Sequence, residues 1–209
     1  MRRFIRHEVH PDNPQARLLQ AAADRLRAGA IAVLPTAAGY LMACRLDDKA
    51  AAARLLRRVD ERQPIMLLCR DLAQAATYLR IDDRAFRAVR DAETGAAAFL
   101  LRCTHRVPRR LVAAAGSAGL LYFGAHPVCQ GLLGLLDEAL LVTPPLWGQG
   151  VQDIDLLPID AQAMLDVALD VGPIEPRDPA WVELFQPSRP SLARWPVGRL
   201  VQPEVRMAA

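Results

Sequence analysis

The sequence predicts one α/β domain, in which a twisted mixed sheet carries helices on both faces. Apolar runs of strand length, such as PIMLLC (64–69), alternate with segments of helical periodicity, which is the pattern of a sheet buried on both sides. Several consecutive runs are separated by too few residues for a crossover helix, so some strand pairs must be antiparallel. The 209 residues, 52% hydrophobic and 23% charged, suffice for one core and exclude a disordered chain.

The first half of the chain opens with a well-delimited helix. Cap residues in DNP (12–14) precede the regularly spaced leucines and alanines of QARLLQAAADRLRAG, and Gly29 stands where a C-terminal cap belongs. AIAVLP and YLMACR predict two strands joined by the turn TAAG (36–39). DDKAAAARLLRR predicts a helix, because its paired aspartates favour a helix N-terminus. The remaining elements of this half are the strand PIMLLC and the helices DLAQAATYL and DDRAFRAVRDA.

The second half supplies further strands and helices. The predicted strands are AAAFLLR, GLLYF, ALLVT, VALDV, WVELF and SLARW, and the predicted helices are VPRRLVAAA, HPVCQGLLGLLD and DAQAMLD. Residues 144–159 form one long loop. We expect one domain, preceded by an N-terminal extension at 1–9 and followed by a C-terminal tail at 201–209.

The cysteines indicate a reducing compartment. They are widely scattered and form no C-x-x-C pair: Cys44, Cys69, Cys103 and Cys129. The N-terminal residues lack the apolar core of a secretory signal, and no window of about 18 residues is apolar enough to span a membrane. We expect a cytoplasmic protein with reduced thiols and no membrane partner. No cluster of His, Cys and Asp has metal-ligand spacing, so no metal site is predicted.

Charge is segregated along the chain. The formal net charge is +3, but residues 1–110 are strongly basic and residues 111–176 contain no Lys or Arg. Either the two segments interleave in space and cancel, or the basic segment binds an anionic partner such as RNA. Arg106, Arg109 and Arg110 are the candidates for such a patch, because positive charge at a helix start opposes the helix dipole.

Several motifs, taken in order, resemble one protein family. They are HPDNPQARL, a strand ending PTxxGY, CRDL after a strand, TG…FLL…VPRRL, and then LDVGP, WVELF and LARWPVG. Over residues 10–200 they resemble the YrdC-like family, and more narrowly its YciO branch. The resemblance implies a twisted α/β sheet around a concave, positively charged cavity. It also implies the activity of L-threonylcarbamoyl-adenylate synthases, which join L-threonine, bicarbonate and ATP for a tRNA modification; some members have been associated with double-stranded RNA.

The same resemblance suggests site residues and shows substitutions among them. The synthases carry P-T-D-T-V-Y-G-L in their threonine pocket, and this chain keeps Thr36 and Tyr40 of that motif but has alanine at 37 and 38. The family's K-x-R pair aligns with Arg57, or with Arg58 after a shift of one residue. The remaining matches are Thr143 at the start of T-S-x-N, whose Ser and Asn are replaced, Tyr122 in place of a strand arginine, and the late Arg194.

These substitutions have a common direction. The reaction needs cations for a triphosphate and a carbamate, and a tyrosine cannot offer the donor fork of an arginine. We therefore expect a degenerate YciO-like protein that binds nucleotide or RNA, with weak or absent synthase activity. Two alternatives stay open: an active synthase that uses substitute groups, and a non-catalytic interaction module. The ligands implied are ATP or AMP with Mg²⁺ and L-threonine, with no tightly bound cofactor; the oligomeric state is not predicted.

Overall fold

One mixed sheet runs through the protein, and every strand in the described part of the chain belongs to it. The computed structural model describes residues 4–58, 64–91, 97–113, 115–143, 151–177, 180–185 and 200–201. The strands are β1 (Ile5–Glu8), β2 (Ala32–Thr36), β3 (Gly39–Arg45), β4 (Ile65–Cys69), β5 (Ala97–Arg102), β6 (Ala118–Phe123), β7 (Leu140–Val142), β8 (Val167–Asp170), β9 (Ala180–Glu183) and β10 (Leu200–Val201).

Helices connect most of these strands. They are α1 (Ala16–Arg27), α2 (Lys49–Leu55), α3 (Leu72–Tyr78), α4 (Asp83–Asp91), α5 (Arg109–Val112), α6 (Pro127–Leu136) and α7 (Ile159–Gln162), with short 3₁₀ turns at Leu56–Arg58 and Ile154–Leu156. The predicted aspartate cap of α2 is present, since the Asp48 carboxylate accepts a hydrogen bond from the Ala51 amide (2.8 Å). His126 caps α6 in the same way, because its Nδ1 accepts from the Val128 amide (3.2 Å).

The strand order is β1-β8-β2-β3-β7-β4-β6-β5-β9-β10. β1, β8 and β2 run parallel, β3 is antiparallel to β2 and β7, and β4 is antiparallel to β7 but parallel to β6. β5 is antiparallel to β6, and β9 and β10 run parallel to β5. The mixed sheet confirms the predicted fold class. These directions define one end of the sheet, the turn end, where β2, β5, β7 and β8 finish and β3, β4 and β6 begin.

Helices cover the sheet on both faces, as predicted. Alternate strand residues point to opposite faces, so Leu34 of β2 packs with α1 and α6, whereas Val33 packs in the cluster that contains α2 to α5 and α7. We refer to these as the α1/α6 face and the α2 face. Both clusters consist of fully buried aliphatic and aromatic side chains, which explains why the strands read as near-continuous apolar runs.

The structure differs from the predicted elements at several places. One is β10 (Leu200–Val201), which pairs with β9 where no strand was predicted and where the expected tail begins. Ile5–Glu8, expected to lie in an extension, forms β1 and pairs with β8. The segment VPRRLVAAA is helical only at Arg109–Val112, because Gly116 and Ser117 both adopt φ of 65° and reverse the chain into β6. DAQAMLD is helical only through Gln162. The expected strand SLARW and residues 144–150 of the expected loop lie outside the described residues. The described part of that loop contains the 3₁₀ turn at Ile154–Leu156 and the first residue of α7.

The cysteines are free and buried, as expected for packed thiols. Burial raises the thiol pKa of each one, which keeps the thiols protonated and unreactive at neutral pH. Among the described residues, no helix combines the length and apolar composition that crossing a membrane requires.

Candidate functional site

The β2–β3 turn is a two-residue hairpin that satisfies its own polar groups. Thr36 pairs with Gly39 across it, and Gly39 has a φ of 95°, which favours glycine. The Thr36 hydroxyl donates to the Gly39 carbonyl (2.7 Å) and accepts from the Ala38 amide (3.2 Å). Thr36 is 1% exposed. The hydroxyl that the resemblance suggested as a ligand group therefore holds the turn together.

Tyr122 closes this turn from the α1/α6 face. Its side chain is fully buried, and its hydroxyl lies beside Thr36 and the Ala38 amide. Burial raises the pKa of Tyr122 to about 12, although its hydrogen bonds with the Thr36 hydroxyl and the Ala38 amide act in the opposite direction. β6 is separated from β2 by β3, β7 and β4, so the contact crosses the face of the twisted sheet. Cys129 of α6 adds a second contact, since its thiol donates to the Pro35 carbonyl (3.1 Å).

Tyr40 lies on the opposite face, in a buried polar network. Its hydroxyl lies 3.0 Å from Asp170 Oδ1 and 2.8 Å from the Gly172 carbonyl, and it accepts from the Val171 amide (2.9 Å). Burial raises the pKa of Tyr40 far above that of free tyrosine. The ring belongs to the core of the α2 face, and Tyr40 is 2% exposed. Tyr40 thus joins β3 to the end of β8.

Asp170 is the centre of that network. Burial acts to raise its pKa, but hydrogen bonds from the Gly172 amide, Arg6 and Tyr40 outweigh burial and hold the pKa below the ordinary aspartate value. Arg6 Nε donates to Asp170 Oδ2 (2.5 Å), and its Nη1 donates to Asp155 (2.7 Å). Sequence reasoning missed Arg6 and Asp170. The available signal was an acid at the end of the apolar run VALD, which requires a partner when buried.

Two backbone contacts hold the turn from outside. The Tyr40 amide donates to the Val151 carbonyl (2.8 Å), and the Arg177 amide donates to the Ala37 carbonyl (2.8 Å). Ala37 stands where the synthases have aspartate, so the turn meets the 171–177 segment through backbone rather than through a carboxylate. Arg177, which is exposed, is a further residue that the sequence did not single out.

The other predicted residues lie on different elements. Thr143 follows β7, is 3% exposed, and its amide donates to the Met42 carbonyl (2.9 Å). Strand alternation places its side chain on the α2 face with Tyr40, whereas Thr36 faces α1 and α6. Arg57 is exposed in the 3₁₀ turn that follows α2. The side chain of Arg58 and all of Arg194 lie outside the described residues.

The arginines of the predicted patch lie elsewhere on the same end of the sheet. Arg106, Arg109 and Arg110 are exposed in the connection between β5 and β6. The turn lies between β2 and β3, and β3, β7, β4 and β6 separate β2 from β5. The patch and the turn are therefore two different places on the molecule.

The segregated charges interleave in part. Arginines of the basic segment pair with carboxylates of the acidic segment at four places: Arg6 with Asp155 and Asp170, Arg45 with Glu138, Arg54 with Asp166, and Arg70 with Asp137. Positive and negative charges therefore neutralise each other around β1, β3, α2 and the end of β4. Within the described ranges, no group of three or more His, Cys, Asp or Glu residues could hold a metal ion.

Comparisons with known proteins give a consistent result. A family model that covers Sua5, YciO and YrdC proteins and is described as telomere recombination matches residues 24–187. Protein YciO of Escherichia coli strain K12 is 36% identical over 137 residues, which cover 65% of this chain and 66% of that protein. A protein of Haemophilus influenzae is 34% identical over 135 residues, 64% of this chain and 65% of its own length. These alignments span just under two thirds of each curated relative.

Solved structures match the fold. The crystal structure of E. coli YciO superposes with a TM-score of 0.80 at 31% identity and covers 89% of this chain and 92% of that one. P. abyssi Sua5 complexed with L-threonine superposes with a TM-score of 0.74 at 15% identity, covering 88% of this chain and 54% of that one. At 15% identity, the match to Sua5 shows a similar fold and nothing more.

Proposed function

The chain belongs to the family of Sua5, YciO and YrdC proteins, and from this premise we propose that it is a degenerate member. In this proposal it binds a nucleotide or RNA and catalyses threonylcarbamoyl-adenylate synthesis weakly or not at all. The solved Sua5 structure contains L-threonine, and the turn 36–39 is the part of this chain that resembles the family's threonine pocket.

The observation that carries the proposal is the position of Tyr122. The resemblance places an arginine of the synthases at this point, where it would face the negative charge of a carbamate or a phosphate. Here a buried phenol with a pKa of about 12 occupies the position and contacts Thr36. It is uncharged at neutral pH, and it cannot supply the electrostatic stabilisation that a guanidinium gives to developing negative charge.

The hydrogen bonds of the Thr36 and Tyr40 hydroxyls support the same proposal. The hydroxyls of Thr36 and Tyr40 have hydrogen-bond partners inside the protein, and the two side chains face opposite sides of the sheet. A ligand that recruited either hydroxyl would have to break an internal hydrogen bond, at a cost of about 1–3 kcal/mol for each group left unsatisfied. Substrate binding at the turn is disfavoured accordingly.

Nucleotide binding has a separate basis. Arg57 is exposed in the 3₁₀ turn that follows α2 and has no carboxylate partner in the part of the chain that the structure describes. Its guanidinium is available to a phosphate of ATP or AMP, with Mg²⁺ as the counterion that a triphosphate brings. A single charge-assisted contact is worth about 1.5–3 kcal/mol, so we expect weak binding from this residue.

We expect release of pyrophosphate from ATP, in the presence of L-threonine and bicarbonate, to stay at the background rate. The physical reason is that the positions resembling the family's arginine, serine and asparagine hold Tyr122, Pro144 and Leu146. The assay should include an active family member under the same conditions as the positive control. Turnover within about tenfold of that control would contradict the proposal and would favour an active synthase that uses substitute groups.

A further inference from the structure

β1 is the outer strand at one end of the sheet, and one of its edges has no strand beside it in the described part of the chain. The Ile5 amide donates to the Asp166 carbonyl (3.1 Å), which identifies residues 5, 7 and 9 as the positions that bond to β8. Backbone groups alternate in direction along a strand, so the amides and carbonyls of Arg6 and Glu8 point away from the sheet. This open edge is a template for the pairing of a further strand.

The sequence of β1 does little to block such pairing. Proline and bulges are two devices by which proteins protect an exposed strand edge, and residues 5–8 contain no proline and pair one to one with β8. Charged side chains are a third device, but Arg6 and Glu8 have opposite signs. Their charges therefore repel a second strand in some registers only.

Exposed apolar side chains adjoin the same edge. Arg6 Nη1 donates to Asp155 (2.7 Å), which places the segment 153–159 beside β1, and Ile154 and Leu157 anchor that segment in the core of the α2 face. Among the described residues, three of the five exposed large hydrophobic side chains belong to β1 or to this segment: Ile5 (39% exposed), Leu156 (68%) and Ile159 (74%). A cluster of exposed aliphatic groups at an unpaired edge is typical of a protein–protein contact.

The charges of β1 make its edge complementary to a second copy of itself. In an antiparallel pair, residues whose backbone groups point outwards lie opposite each other, so a symmetric pair of β1 strands can be centred on residue 6, 7 or 8. Centring on residue 6 opposes two Arg6 side chains, and centring on residue 8 opposes two Glu8 side chains. Centring on residue 7 places Arg6 opposite Glu8 of the second copy, and symmetry repeats this pair. Cross-strand charge therefore selects the register centred on residue 7.

The opposite face of the strand favours the same register. There Ile5 lies opposite Val9 of the second copy, which is an apolar β-branched pair of the kind that stabilises neighbouring strands. His7 lies opposite the same residue of the second copy. Burial and the charges of Arg25 and Arg17 on α1 lower the pKa of His7, so the two rings are uncharged at neutral pH and do not repel each other.

Contacts within one molecule hold Arg6 in place for this pairing. Its Nε donates to Asp170 Oδ2 (2.5 Å) and its Nη1 donates to Asp155, whereas Nη2 has no hydrogen-bond partner among the described residues. Nη2 can therefore donate to Glu8 of a second copy. Because two carboxylates already offset the charge of Arg6, this ion pair sets the register, and the backbone hydrogen bonds and apolar contacts supply most of the affinity.

We propose that β1 pairs with β1 of a second copy of this chain, antiparallel and centred on residue 7, with Leu156 and Ile159 flanking the contact. The sheet then continues across a twofold axis, and each Arg6–Glu8 pair exchanges two backbone hydrogen bonds. The contact is small, so we expect a dissociation constant on the order of 100 µM. This surface is separate from the β2–β3 turn, and the inference does not depend on the proposed function.

Two variants of one residue separate backbone pairing from charge. Glu8→Pro removes the outward amide without removing a bond to β8, and Glu8→Ala removes the same carboxylate but keeps the amide. Sedimentation velocity over a concentration series measures self-association, and circular dichroism checks that each variant is folded. We expect Glu8→Pro to weaken dimerisation about tenfold or more, and Glu8→Ala to stay within about threefold of the unmodified protein.

Cysteine cross-linking tests the register. With residue 7 at the centre, the two Cα atoms of His7 are about 4.5 Å apart, within the range of a disulfide, whereas those of Ile5 are roughly 14 Å apart. We therefore expect His7→Cys to form a covalent dimer under mild oxidation and Ile5→Cys to stay monomeric under the same conditions. The native cysteines are buried, so the unmodified protein is the blank.

Three results would overturn the inference. Sedimentation as a monomer up to about 1 mM would show that the edge does not pair with itself, and would leave it to an extended segment of another protein. Equal weakening by Glu8→Pro and Glu8→Ala would show that the carboxylate, not the strand edge, controls association. Cross-linking of Ile5→Cys as readily as His7→Cys would exclude the proposed register. Should His7→Cys unfold, the sedimentation comparison decides alone.

Discussion

Replacement of Tyr122 by alanine is expected to lower the free energy of unfolding by about 3–5 kcal/mol. The side chain is fully buried between β6 and the β2–β3 turn, so its removal leaves a cavity that the surrounding strands cannot fill. Urea unfolding followed by circular dichroism measures the effect. Phe86→Ala is the matched control, because Phe86 is 44% exposed on α4 and its truncation should cost less than about 1 kcal/mol.

Tyr122→Phe separates the ring from the hydroxyl. It keeps the packing and removes the contact with Thr36 and the Ala38 amide, so we expect a loss of about 0.5–1.5 kcal/mol. If Tyr122→Ala proved no more destabilising than Phe86→Ala, the ring would not pack as described, and the closure of the turn would be in doubt.

Replacement of Asp170 by alanine should be the second large effect. Asp170 is 5% exposed and is bonded by Arg6, Tyr40 and the Gly172 amide. Removal of one member of a buried charged network costs about 3–5 kcal/mol, and because a third of the Arg6 side chain is exposed we expect about 2–3 kcal/mol. Asp155→Ala removes the other carboxylate on Arg6, which is 72% exposed, and should cost less than about 1 kcal/mol.

Asp170 also gives the stability a pH dependence of known sign. Its pKa is lower in the folded protein than in the unfolded chain, so its contribution is present above the unfolded value of about 3.9 and is lost as pH falls through the folded value. Stability of the unmodified protein should therefore fall on acidification more steeply than that of Asp170→Ala. Urea unfolding at a series of pH values measures this. If the free energy of unfolding fell equally steeply with acidification in both proteins, Asp170 would not be the group responsible for the pH dependence.

Much of the fold could be predicted from local sequence, because most strands here are buried on both faces. Runs such as PIMLLC and GLLYF are apolar throughout, and the structure confirms them as β4 and β6. β1 has no such signal: IRHE is mostly exposed and polar, and it is a strand because it pairs with β8, more than a hundred residues away. Strand pairing of this kind is a tertiary property, which local propensity does not encode.

The site was less predictable for the same physical reason. The family resemblance selected Thr36 and Tyr122 separately, as a retained and a substituted residue, but no sequence rule places β6 against the β2–β3 turn. Asp170 and Arg6 form a pair across 164 residues, so neither suggests the other in the chain. Tyr40 and Thr36 are four residues apart and were expected to act together; the pleat of two paired strands points them to opposite faces.

The segregation of charge was only half informative. It correctly indicated an excess of arginine in the first half of the chain, and it left open whether acids would cancel that excess. In the structure Arg45 and Arg54 pair with Glu138 and Asp166, whereas Arg80 and Arg102 face each other. The difference lies in the neighbouring strands. Glu138 and Asp166, which precede β7 and β8, lie beside Arg45 and Arg54, whereas the end of β5 places Arg102 opposite Arg80.

The central claim is that the turn resembling a threonine pocket is closed by its own hydrogen bonds and by Tyr122. Direct titration of L-threonine into the protein, by calorimetry or ligand-observed NMR, tests this claim without depending on catalysis. We predict no saturable binding of L-threonine at concentrations on the order of 1 mM. A dissociation constant of about 1 mM corresponds to a binding free energy of about −4 kcal/mol. Saturable binding that Thr36→Val weakens, with Thr77→Val on the exposed surface of α3 as the unaffected control, would contradict the account.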